Sequence, residues 1–286
     1  MKRLKEIVNA LKISAENQHQ DAEKLIREFI FYSPKMPLRL HQEQLLAEAK
    51  RFSLPVFDTY FTAKALTINC FSWGTGAVKV LLTHGWASKA ADFYELITAL
   101  RNIDDLEIIA FDAPGNGSSV SEFSNLMLYA DSVKAIAADY AKPDFYVGHS
   151  LGGMANVIAI QEAGLKPKQL ISIAPLIRLK ENFEQSMQSV NIGVEAQANF
   201  FHNFSKEFPV KADHFNLSSL YHLNPAIQHF LAYDVEDHIS PYAYLNTFLE
   251  QNPQIKAKAY PDAGHYKILK SPEVIEDVVA LIKSAL

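Results

Sequence analysis

The stretch Gly148-His149-Ser150-Leu151-Gly152 offers a serine hydroxyl for nucleophilic attack, and its flanks indicate how that hydroxyl is presented. Asp144 to Val147 is a short strand-like apolar run and Gly153 to Ala163 a helix-like one, so Ser150 falls on a sharp strand-to-helix turn. On such a turn the serine takes strained backbone angles, and strand and helix approach so closely that the flanking positions must lack bulk. Gly148 and Gly152 meet that demand, and Gly153 relaxes it further. Two glycines around a serine also occur in ordinary turns; the strand-turn-helix context is what makes this spacing specific.

A serine hydroxyl is a weak nucleophile at neutral pH, so it needs an imidazole to take its proton and a carboxylate to orient the imidazole. Both are expected after the serine, on loops at the ends of later strands. Asp237, in Asp234-Val235-Glu236-Asp237-His238-Ile239-Ser240-Pro241, is the expected acid. Asp234 and Glu236 compete, but the first lies close to the strand's end and the second is one step out of phase. His265 follows the next strand in Pro261-Asp262-Ala263-Gly264-His265, where Gly264 frees the turn, and is the expected base. His238 is the other histidine in such a loop, and it adjoins the acid facing away from it. Charge developing on a carbonyl oxygen needs preorganised donors. The backbone N–H groups of Leu151 and of Trp86, in His84-Gly85-Trp86, are expected to supply them. His84 reads as a structural loop residue rather than a base, and His149 as the variable residue of the turn.

From about residue 58 strands and helices alternate, which calls for an α/β fold with a mostly parallel sheet and helices on both faces. The expected strands are 58–63, 66–73, 78–83, 106–111, 144–147, 169–174, 229–233 and 255–260. Helices are expected through Phe93 to Leu100, over 126–141, after the serine turn and over 272–286. The stretch 176–224 breaks the rhythm: it is rich in phenylalanine and lacks a buried-strand run, so it reads as a helical cap inserted in a domain of residues 58–286, or as ordinary surface helices packed on the sheet. Residues 1–57 form an N-terminal helical extension. Its apolar stripes, Leu4-Ile7-Val8-Leu11 and Ala22-Leu25-Ile26-Phe29-Ile30, suit a cover on the core's flank better than a membrane-surface or partner-binding helix. A third short helix is expected from Gln42 to Phe52, ending before Pro55.

With 286 residues, 49% of them apolar, the chain can build one large core. A net charge of −5 without a basic run gives no footprint for nucleic acid. The single cysteine, Cys70, can form no internal disulfide, and the residues after the charged start never become a signal-peptide core. No run of eighteen apolar residues predicts a membrane span. These features together lead to the expectation of a cytoplasmic protein. Gly74-Thr75-Gly76 precedes a strand instead of following one, Lys79 stands at the third glycine position, and no Gly-Lys-Ser/Thr sequence occurs, so a nucleotide fingerprint is missing. The histidines show no metal-ligand spacing.

Taken jointly, His84-Gly85-Trp86, the glycine-rich Asp112-Ala113-Pro114-Gly115-Asn116-Gly117-Ser118, the turn Gly148 to Gly153, Asp237 with Pro241, and Gly264-His265 resemble the α/β-hydrolase superfamily over about residues 66–286. Asn116 departs from the histidine that many members carry there. The resemblance implies an eight-stranded, mostly parallel sheet, a cap after the sixth strand, and no cofactor or metal. Because the nucleophile is a serine rather than an aspartate, it implies esterase- or lipase-like acyl transfer on a small, apolar, ester-like substrate, with thioester or amide as variants. Carbon–carbon bond hydrolysis on the same triad, or a non-catalytic ligand-binding member of the fold, stays open, as does the oligomeric state.

Overall fold

The structure, a computed structural model, describes residues 2–17 and 22–286. Three helices, α1 (Lys2–Asn17), α2 (Ala22–Phe31) and α3 (Leu40–Ala47), precede β1 (Lys50–Asp58), β2 (Lys64–Trp73) and β3 (Val78–Thr83). Alternation then takes over: α4 (Tyr94–Leu100), β4 (Leu106–Asp112), α5 (Leu126–Asp139), β5 (Phe145–His149), α6 (Leu151–Glu162) and β6 (Gln169–Ile173). After β6 come α7 (Leu179–Ser189), α8 (Val194–Glu207) and the short α9 (Leu217–Leu220). The chain returns to β7 (Gln228–Tyr233), α10 (Tyr242–Gln251), β8 (Lys256–Ala259), α11 (Gly264–Lys267) and α12 (Pro272–Ser284).

The eight strands form one sheet in the order β1-β2-β4-β3-β5-β6-β7-β8, with β2 antiparallel to both neighbours and every other pair parallel. This is the α/β architecture expected from the alternation. Strands β4, β5 and β6 are buried along their whole length, which is why their sequences are apolar on both faces. Alternate residues serve opposite layers. Leu81 and Tyr146 pack with α1, α2, α5 and α6, whereas Val80, Leu82 and Val147 pack with α3, α4 and α12. Because β4 and β5 flank β3 on opposite sides, the loops leaving β3 and β5 diverge over the carboxyl ends of the strands and open a crevice there.

Two expectations need correction. The first strand is Lys50–Asp58, not 58–63, and the helix before it ends at Ala47 rather than Phe52. Pro55 reads as a stop, but β1 lies at the sheet's edge, where proline's missing N–H costs no ladder bond. Residues 59–62 form a turn that Asp58 organises: its Oδ1 accepts from the Tyr60 and Phe61 amides (2.9 and 3.0 Å), and its Oδ2 accepts from the Thr62 amide (3.0 Å) and hydroxyl (2.7 Å). The sheet therefore begins inside the stretch read as an extension.

The stripes of α1 and α2 are buried against the fold. Ile7, Leu11, Ile26, Ile30 and Phe31 join the same apolar cluster as Phe200, Phe204 and Phe208 of the 176–224 stretch. An isolated bridge between Arg178 and Asn216 ties the two ends of that stretch together. Among the described residues no helix is long and apolar enough to cross a membrane.

Candidate active site

Ser150 caps the step from β5 to α6 with φ 52° and ψ −121°, a conformation that L-residues adopt only under strain. Hydrogen bonds on both sides of the peptide hold it there. Its amide donates to the Ile173 carbonyl (3.1 Å), and its carbonyl accepts from the Gly153 (3.0 Å) and Leu176 (3.1 Å) amides. The flanking glycines supply room rather than unusual dihedrals. A Cβ on Gly152 would stand 2.2 Å from the Thr83 carbonyl oxygen, and one on Gly148 would stand 2.7 Å from the Gly152 carbonyl oxygen. The serine thus carries the strain, and the glycines allow α6 to abut the end of β3.

Three side chains from separate loops meet here. The Ser150 hydroxyl is 2.9 Å from His265 Nε2, and His265 Nδ1 donates to Asp237 Oδ2 at 2.6 Å. The other carboxylate oxygen of Asp237 accepts from the Ile239 (2.8 Å) and Ser240 (3.0 Å) amides, so the carboxylate is gripped on both oxygens. Burial opposes its charge, but the bonds from His265 and the two amides outweigh burial and hold the carboxyl below the usual range. Asp234 has a different task. Its Oδ1 accepts from the Glu236 amide (3.0 Å) and its Oδ2 from the Gly264 amide (2.6 Å), which ties the Asp237 loop to the His265 loop. Gly264 has φ +58°, the turn that brings His265 round. Glu236 and His238 are exposed and take no part.

The loop after β3 is braced from behind. His84 Nε2 accepts from the Ala113 amide (3.0 Å), so the proton is on Nδ1, which donates to the Gly85 carbonyl (2.7 Å). Tyr129 donates its hydroxyl to the same carbonyl (3.0 Å). Burial pushes the His84 imidazole below its ordinary range, which suits a neutral bracing group. Asp112 orders the facing loop, with Oδ1 accepting from the Ala90 amide (2.8 Å) and Oδ2 from the Ser118 amide (2.7 Å). Trp86 and Leu151 border the same cleft as Ser150, and among the described residues no protein acceptor engages either amide. Leu151 opens α6, where no preceding turn supplies a carbonyl.

Two residues had roles that sequence reasoning missed. His149 Nε2 donates to the His265 carbonyl (2.8 Å), which fixes the backbone at His265, and burial together with the neighbouring His265 pushes the His149 imidazole down to about 3. Its place one residue before Ser150 was the available signal, but β5 directs that side chain to a loop more than a hundred residues away. Asn116 accepts from the Ser33 hydroxyl and donates to the Pro114 carbonyl (3.1 Å), so the position that departs from the family pattern ties the N-terminal segment to the glycine-rich loop.

Ser150 and His265 open into a cleft of about 640 Å³, bordered also by Trp86, Leu176, Asn182 and Gln185 of α7, Tyr266 and Leu269. The arrangement can pass a hydroxyl proton to an imidazole whose positive charge the Asp237 carboxylate offsets. Among the described residues, no three His, Cys, Asp or Glu side chains gather as a metal site.

Similarity to known proteins extends over part of the sequence and over the fold. A stretch of 119 residues, 38% of the chain, is 29% identical to a monoglyceride lipase of Rattus norvegicus. Another of 146 residues, 48% of the chain, is 26% identical to a pimeloyl-[acyl-carrier protein] methyl ester esterase of Wigglesworthia glossinidia brevipalpis. The matches span 39% and 54% of those proteins' own lengths. In fold, the chain is similar to an esterase of Pyrococcus furiosus with a TM-score of 0.63 at 18% identity, covering 90% of this chain and 97% of that one. The sequence model of the alpha/beta hydrolase family matches residues 80–278, and the chain belongs to that family.

Proposed function

We propose that the protein is a serine hydrolase that cleaves a carboxylic ester of a small, apolar substrate through an acyl-enzyme. The observation that carries this reading is the unbroken chain Asp237 Oδ2, His265 Nδ1, His265 Nε2, Ser150 Oγ, with contacts of 2.6 and 2.9 Å. Ser150 Oγ attacks the substrate carbonyl while His265 Nε2 takes its proton. The oxygen that becomes negative is held by the Trp86 and Leu151 amides. His265 then returns the proton to the leaving alcohol, and the carbonyl re-forms as the acyl-enzyme. Water, deprotonated by the same imidazole, releases the acid and restores Ser150. No cofactor enters any step.

The ester is favoured over thioester, amide or carbon–carbon bonds because both curated relatives carry ester-hydrolysing names. The insertion 176–224 acts as a cap, since its helix α7 borders the cleft through Asn182 and Gln185. A cytoplasmic setting fits the single cysteine, Cys70, which is buried in β2 and has no internal disulfide partner.

A fluorophosphonate probe tests the reading. The wild-type protein is expected to label at Ser150, and Ser150→Ala is expected to abolish labelling and lower the turnover of a short-chain aryl ester at least ~1,000-fold. Unlabelled wild-type protein would leave only a ligand-binding member of the fold, and unchanged turnover in the variant would move the nucleophile elsewhere.

A further inference from the structure

We infer that the N-terminal helices wall an acyl-chain subsite, running from Ser150 into the phenylalanine cluster between α2 and the 176–224 insertion, for esters of unbranched apolar acids longer than acetate. The inference rests on Ser150 being the nucleophile.

A second cavity of about 230 Å³ adjoins the cleft and shares with it Trp86, Ala87, Leu151, Asn182 and Ser186. Its far wall is Leu4 of α1 and Phe29, Ile30 and Phe31 of α2. A third cavity of about 240 Å³ shares Phe31, Asn125, Leu126, Leu179 and Phe183 with it as lining. It reaches Phe204, Phe208, Val210 and Phe215 of the insertion. Gln161, Glu162 and His214 stand among its lining and give it a polar side. Phe31 is common to the second and third cavities. Its ring, 2% exposed, lies 5.2–6.4 Å from those of Phe61, Phe183, Phe200, Phe204 and Phe208.

Direction follows from the chemistry. His265 Nε2 returns the proton to the leaving group, so the alcohol lies on the imidazole side, with Tyr266 and Ile239. The second cavity touches neither of these nor His265, and instead adjoins Trp86 and Leu151, whose amides hold the carbonyl oxygen. The apolar extension is therefore on the acyl side. Among the described residues no Asp, Glu, Lys, Arg or His lines the second cavity, and the Asn125 side-chain oxygen is taken by the Leu128 amide at 2.8 Å. A hydrocarbon tail is the occupant that such a wall rewards. Residues 2–47, which supply part of it, precede the segment that the family model matches.

The test is a series of p-nitrophenyl esters from acetyl to decanoyl, run beside fluorophosphonate labelling. For the wild type, kcat/KM is expected to rise about fourfold per added methylene from acetyl through hexanoyl. Leu126→Phe narrows the junction between the two cavities and is expected to lower the octanoyl-to-acetyl ratio of kcat/KM at least ~10-fold. Phe183→Ala widens the junction and is expected to shift the optimum to longer chains, so a variant that folds poorly cannot mimic both results. Labelling at Ser150 with a flat chain-length series and unmoved ratios would overturn the subsite and leave the serine hydrolase standing. No labelling would remove the hydrolase, and calorimetry with sodium octanoate on Ser150→Ala then decides the cavity: binding weakened at least tenfold by adding Leu126→Phe keeps it as a hydrocarbon site, and no binding overturns it.

Discussion

The strand-end loops and the aromatic layer between α2 and the insertion lie side by side, yet they are built on opposite principles. In the loops, directed hydrogen bonds hold the Asp237 carboxylate and the His265 ring, and the backbone is strained: Ser150 has positive φ, and the Asp237 carboxylate accepts three hydrogen bonds. In the aromatic layer the contacts are ring against ring, with many near-equivalent neighbours and little directional bonding. One region is set by geometry that tolerates no substitute. The other is set by volume. Their mutants should therefore fail differently, the first in rate and the second in stability or substrate range.

The largest expected effect is at Asp237. Asp237→Asn can keep the Ile239 and Ser240 bonds through its remaining oxygen, but its NH2 faces His265 Nδ1 and favours the tautomer with the proton on the wrong nitrogen. The turnover of an aryl acetate is expected to fall ~10⁴-fold while the melting temperature moves by only about a few degrees. A collapse of the fold with a modest loss of rate would reverse the contrast.

Phe31→Ala probes the other side. The ring is buried among five phenylalanines from the loop after β1 and from α7 and α8 with its following turn, and truncating such a side chain costs about 3–5 kcal/mol. Urea unfolding is expected to show that loss as a lower midpoint. A loss below about 1 kcal/mol would mean that the extension is a loose strap rather than part of the core.

This contrast also explains what the sequence made legible. The meeting of Ser150, Asp237 and His265 could be expected because each sits in a short segment whose local conformation is written in its own neighbours: glycines beside the serine, Gly264 beside the histidine, a strand before each. The parallel strands announced themselves by continuous apolar runs. Strand β1 did not, because Pro55 is a stop everywhere except at an edge, and whether a strand is an edge depends on the whole sheet. Nor could the role of Phe31 be read, since its partners lie as much as 177 positions further along, at Phe208. His149 belongs between the two: its position was local, its partner remote.

The pH dependence sharpens the polar side. Burial pushes His149 and His229 down to about 3 and lowers His84, so these imidazoles stay neutral at ordinary pH. Asp237, held below the usual carboxylate range, stays charged. None of these four groups then changes charge at ordinary pH, and the acid limb of the activity is expected to report the general base of the reaction. The expected profile of kcat/KM falls towards about tenfold per pH unit on the acid side. A profile flat down to about pH 5 would show that the reaction needs no such base.

The smallest expected effect tests whether charge contributes to the apolar side. Arg27 of α2 reaches Glu207 of α8 with its Nε 3.1 Å from both carboxylate oxygens, and its guanidinium lies 5.2 Å and 5.3 Å from the Phe61 and Phe123 ring centres. This looks like a latch between extension and insertion. Both side chains are about a third exposed, however, at 30% and 33%, so water and salt screen the pair. Arg27→Ala is expected to cost less than about 1 kcal/mol in urea unfolding, with added salt narrowing the gap further. Arg27→Lys, which keeps the charge but loses the flat fork, should fall between the two proteins. A cost of several kcal/mol that persists in high salt would show that directional polar contacts hold the extension as well, and the division between the two regions would have to be redrawn.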